Sequence, residues 1–124
     1  MAKRHILIAD TKGLAKTMQP ALSKINEGLE LVAVPDGARC ITAHAKLCRA
    51  KAPPLVVILS DELEYVNGAQ VARTLRMVER KMGVVSSAII YMTDSETANE
   101  QTQAWGRSVV LKKSHVEDDP KTES

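Results

Sequence analysis

The chain has 124 residues, with 17 basic residues against 15 acidic ones, no Phe, one Trp and two Tyr. That length holds one domain whose core needs no disulfide or metal to support it, and the balanced charge and scarce aromatics argue against direct nucleic-acid binding. No stretch approaches the roughly eighteen apolar residues of a membrane span, so a soluble, cytoplasmic protein is expected, with Cys40 and Cys48 as free thiols in a reducing compartment.

The first apolar run, HILIA (5–9), reads as a short strand. Leu14, Met18, Leu22 and Ile25 follow at a period near four, predicting a helix that Pro20 kinks or starts. LELVAV (29–34) is a second strand, and Glu30 within it suits a sheet edge. Ile41, Leu47 and Cys48 mark a second helix, on which Cys40, His44 and Cys48 recur every four residues along one face. The two sulfurs would lie about 12 Å apart along the axis, too far to share one zinc ion, so small buried thiols beside a partly buried histidine are expected.

LVVIL (55–59) is apolar without alternation, as a central parallel strand covered on both faces should be. Val71, Leu75, Val78 and Met82 set a third helix, with Arg73, Arg76, Arg80 and Lys81 expected as a solvated face. AIIYM (88–92) and SVVLK (108–112) complete the strands, a weaker helix covers about 96–104, and Trp105 is read as either a packing residue or a partner contact. The closing SHVEDDPKTES has one aliphatic residue, Val116, so the fifth helix is expected to be missing or reduced to a turn. The organisation is then a folded unit over 1–114 and a polar acidic tail over 115–124.

The six glycines fall at or near the predicted junctions, and neither the dinucleotide fingerprint nor the P-loop pattern occurs. Strand and helix alternate five times, which predicts an α/β fold: an open parallel sheet, flavodoxin-like, with helices on both faces. The site of such a sheet lies outside the carboxyl ends of its strands, a rule that selects Asp10, Thr11, Ser60, Asp61, Thr93 and Lys113.

In order and spacing the chain resembles a response-regulator receiver domain, the CheY-like module of two-component signalling, over about residues 4–114. ILIADT resembles the first strand with its acidic pair. PLVVILS, followed eight residues later by Gly68, resembles the third strand, phospho-acceptor and loop glycine. IIYMT puts Thr93 at the hydroxyl position, and GRSVVLKKS puts Lys113 at the lysine position, with Ser114 where proline is usual. The resemblance implies the strand order 2-1-3-4-5. It also implies a carboxylate that takes a phosphoryl group beside a magnesium ion held by two acids and a backbone carbonyl.

Matched residue by residue, Asp10 is the first acid, Thr11 replaces the second, Ser60 replaces the nucleophile, and Val110 replaces the aromatic switch residue. A serine hydroxyl without a placed base cannot form an acylphosphate, and magnesium loses two acids, so its binding is expected to be weak or absent. Spacing from Pro54 and to Gly68 selects Ser60, and strand alternation would turn Asp61 to the other side. The implied function is a degenerate, non-enzymatic receiver acting through protein contacts, with a histidine kinase or another signalling protein as partner. A homodimer is expected through apolar surface left open near the first and fifth strands. The alternatives are a working receiver phosphorylated on Asp61 or Asp10, and a small flavodoxin-like protein binding an anion or nucleotide.

Overall fold

In a computed structural model the described residues are 4–9 and 28–112. The helix expected over 14–25, the site positions Asp10, Thr11 and Lys113, and the expected tail all lie outside them. Five strands, β1 (Arg4–Ala9), β2 (Leu29–Val34), β3 (Val56–Ser60), β4 (Ala88–Met92) and β5 (Ser108–Leu111), form one parallel sheet in the order β2-β1-β3-β4-β5. This is the flavodoxin-like arrangement, and each strand begins and ends within one residue of its apolar run. β2 is an edge, as Glu30 requires, and the Glu30 carboxylate lies 3.7 Å from His5 on β1.

Three helices are described: α1 (Gly37–Arg49), α2 (Gly68–Met82) and α3 (Ala98–Gln103). Both long helices start on side-chain caps that relieve unpaired amide groups. The Asp36 carboxylate accepts from the Arg39 amide at 2.7 Å, and the Asn67 carbonyl accepts from the Gln70 amide at 3.0 Å. α2 ends on Gly83, whose φ of 65° is the left-handed conformation that glycine adopts without a Cβ clash.

Alternation along the strands divides the core between the two faces of the sheet. Leu7, Leu59 and Tyr91 point toward α1 and α2 and pack with Cys40, Val71, Leu75 and Trp105, whereas Ile6, Ile8, Ile58 and Met92 form a second cluster on the opposite face. Trp105 is buried edge-on against Tyr91, with ring centroids 5.0 Å apart, so its role here is packing. Val110 is half-buried against the same cluster. Its neighbours Val109 and Leu111 turn the other way and are 58% and 41% exposed.

Between α1 and α2 lies a buried polar network that corrects two expectations. His44 is fully buried, and its Nε2 donates to the Glu79 carboxylate at 3.0 Å. Glu79 also accepts from the Ser87 amide at 3.0 Å and from the Arg76 guanidinium at 2.8 Å. Arg76 is therefore no part of a solvated face: it also donates to the carbonyls of Ser87, Trp105 and Arg107 at 2.7, 2.6 and 2.9 Å.

Cys40 and Cys48 are free and buried, as expected. Burial first, and then the charge of Asp36, pushes the Cys40 thiol up to about 12, while burial and Glu79 raise Cys48. Neither thiol supplies thiolate at neutral pH. Native protein should therefore react with a thiol reagent only as fast as it opens, with both cysteines labelled at once in denaturant. Rapid labelling of the folded chain would contradict this burial.

Candidate functional site

β3 and β4 deliver the site because their carboxyl ends are in register. Ser60 pairs with Met92, the Asp61 amide donates to the Met92 carbonyl at 3.1 Å, and the next positions, Asp61 and Thr93, stand side by side. The Thr93 hydroxyl donates to the Asp61 carboxylate at 2.6 Å and accepts from the Ser95 amide at 3.1 Å. Thr93 thus lines the site and also stabilises the turn after β4. It does not cap α3, whose N-cap residue is Thr97.

The side chain that reaches Thr93 is therefore that of Asp61, which departs from the reading based on spacing. Strand alternation holds only while the strand lasts, and β3 ends at Ser60. Beyond it the chain bends and aims the Asp61 carboxylate at β4, while Ser60 stays buried at the strand end. Counted from Asp61, Gly68 comes seven residues later, so the loop is one residue shorter than the resemblance implies.

Gly68 fixes the depth of that loop. A Cβ there would collide with the Ser60 carbonyl and crowd both the Asp61 backbone and the Tyr91 ring. Gly68→Ala is expected to cost about 1–3 kcal/mol, in the range of other overpacking changes, and to disturb Asp61. Denaturant unfolding together with the Thr93 hydroxyl and amide NMR signals would check both effects.

The surroundings of Asp61 are polar and acidic, with Glu62 and Asp94 exposed nearby in sequence. Burial and the Asp61 charge raise the pKa of Tyr91, with Arg73 opposing them, so the phenol beneath the site stays protonated. Tyr65 is 82% exposed in the loop between Asp61 and Gly68, at a φ of 69°. For a bulky residue that is a strained backbone on the site's rim, and nothing in its spacing announced it.

Among the described residues no group of three or more His, Cys, Asp or Glu side chains is gathered to hold a metal. The described part of the site offers one carboxylate, Asp61, which by itself does not meet the oxygen-rich octahedral demand of magnesium.

No family model matches the chain, and no curated protein does. Solved structures do. The receiver domain of the histidine kinase CKI1 from Arabidopsis thaliana, complexed with Mg2+ and BeF3-, superposes with a TM-score of 0.74 at 17% identity, over 90% of this chain and 81% of that one. The receiver domain of the sensor histidine kinase PA1611 from Pseudomonas aeruginosa, with magnesium in its active-site cleft, gives 0.63 at 19% identity, over 90% and 86%. A co-crystal structure of the Saccharomyces cerevisiae histidine phosphotransfer protein Ypd1 with the receiver domain of Ssk1 gives 0.68 at 13%, over 90% and 79%. The fold is that of a CheY-like receiver domain.

Proposed function

We propose that this chain is a receiver-type signalling module that accepts a phosphoryl group on Asp61. The observation that carries the reading is the 2.6 Å hydrogen bond from Thr93 to the Asp61 carboxylate, at the carboxyl ends of the two central strands. It favours Asp61 over the degenerate position Ser60. In this reading a carboxylate oxygen of Asp61 attacks the phosphorus of a donor phosphohistidine. An aspartyl phosphate forms, the P–N bond breaks, and the imidazole nitrogen leaves with the electron pair and takes up a proton. The Thr93 hydroxyl, already directed at Asp61, then donates to a phosphoryl oxygen, and Lys113 is assigned the neighbouring charge. The partner class is a histidine kinase or a phosphotransfer protein, in the cytoplasm, and the chain acts as a relay and binding module, not as an enzyme with its own substrate.

A second reading is favoured by Thr11 in place of the second acid and Val110 in place of the aromatic switch. In it the module has lost phosphotransfer and works through its surfaces. The exposed Val109 and Leu111 on β5 support a contact there, including a homodimer. Intact mass after incubation with acetyl phosphate separates the readings. One added phosphoryl group, removed by hydroxylamine, supports the acceptor reading, and an unmodified mass beside a fully modified control receiver supports the second.

A further inference from the structure

The end of the sheet opposite Asp61 carries a second concavity. β3 has five residues, which puts this end about 16 Å from the candidate site. The cavity measures about 310 Å3, near the lower limit for a small-molecule pocket, and the segments that enter β1, β3, β4 and β5 build it. Among the described residues three cationic side chains line it, Arg4, Lys51 and Arg107, and no carboxylate does. Its apolar wall comes from Pro53, Leu55 and Val85, the last two 36% and 72% exposed.

Three features mark this as a built site, beyond a chance gathering of surface charge. Arg107 is fixed at the rim, where its guanidinium donates to the Ser86 carbonyl at 3.1 Å. Lys51 stands directly after the α1 cap with a φ of 61°, a left-handed position at which glycine is the unstrained choice. Helix termination accounts for that backbone angle, and it gives the lysine side chain itself no capping role. The carbonyls at the end of α1 do not require that side chain, since the amides of Ala50, Lys51 and Ala52 already donate to Lys46, Cys48 and Leu47. Like charges collected around one cavity repel, and an anion relieves them.

We propose that this pocket binds a small organic anion, a carboxylate or phosphate ester with an apolar body. Its charged group lies between Lys51, Arg4 and Arg107, and its body lies against Leu55 and Val85. The site is independent of phosphoryl transfer at Asp61.

The test is a titration of the isotope-labelled full chain with phenyl phosphate and with benzoate, followed by amide NMR, with inorganic phosphate and phenol as controls. Saturable shifts of the amides of residues 51, 52, 55, 84–87 and 107 are expected with at least one of the two aromatic anions, and the better one identifies the charged group. Each control should bind more weakly. Lys51→Gly is expected to weaken binding roughly tenfold or more, the effect of losing one charge-assisted hydrogen bond, while leaving the Tm unchanged or raised because the strain is gone. Arg4→Gln should weaken it similarly. Absence of saturable shifts with both aromatic anions, or equal affinity in Lys51→Gly, would overturn the proposal.

Discussion

Glu79→Ala is expected to destabilise the fold by about 3–5 kcal/mol, a large share of the stability of a domain of this size. The carboxylate is 1% exposed and accepts from three groups at once: His44 on α1, Arg76 on its own helix and the Ser87 amide before β4. Removing it leaves a buried imidazole and a largely buried guanidinium with nothing to receive their protons. Arg76 would retain its bonds to the carbonyls of Trp105 and Arg107, but in a cavity that now carries an uncompensated charge. Urea midpoints are the readout. A midpoint within experimental error of the wild type would refute the network's structural importance.

Glu79 also predicts a pH dependence. Burial alone would raise its pKa, but the hydrogen bonds from His44, Ser87 and Arg76 outweigh burial and lower it from 4.5 to about 2. A lowered carboxyl pKa stabilises the fold above the unfolded value, and that contribution fades as pH falls from 4.5 toward 2. Glu79→Gln, which keeps the shape without the charge, should be less damaging than alanine and should flatten this part of the acid limb.

The strands were legible because a central parallel strand, covered on both faces, has to be apolar at every position. β1, β3 and β4 read directly as such, and Glu30 marked β2 as the edge. What the sequence concealed was set by chain segments distant in number. The burial of Arg76 depends on the carbonyls of Trp105 and Arg107, which fold over α2 from 29 and 31 residues downstream. Helical periodicity places Arg76 on a face but carries no information about what covers it.

The reach of Asp61 to Thr93 was hidden for a related reason. Counting to Gly68 presumes a loop of fixed length, and alternation presumes that the strand continues. The register of β3 against β4 pairs Ser60 with Met92 and so brings Asp61 beside Thr93. The position of Thr93 directly after β4 was legible in the apolar run that precedes it. The pocket around Lys51 had no signature in sequence, since its three cations come from three separate junctions.

Asp61→Asn is expected to abolish phosphoryl transfer, while Ser60→Ala leaves it nearly intact. An amide oxygen carries no full charge and is a poor nucleophile toward phosphorus, yet asparagine keeps the size of aspartate and can still accept from Thr93, so the fold should survive. Thr93→Ala should retain the acceptor but slow the reaction, because the hydroxyl that meets the phosphoryl oxygens is gone.

The most direct measurement is the intact mass of the wild type, Asp61→Asn and Ser60→Ala after exposure to acetyl phosphate or a phosphorylated histidine donor. The account predicts one hydroxylamine-labile phosphoryl group on the wild type and on Ser60→Ala, and none on Asp61→Asn. Equal modification of Asp61→Asn and the wild type, or no modification of any of the three beside a reactive control receiver, would contradict Asp61 as the acceptor.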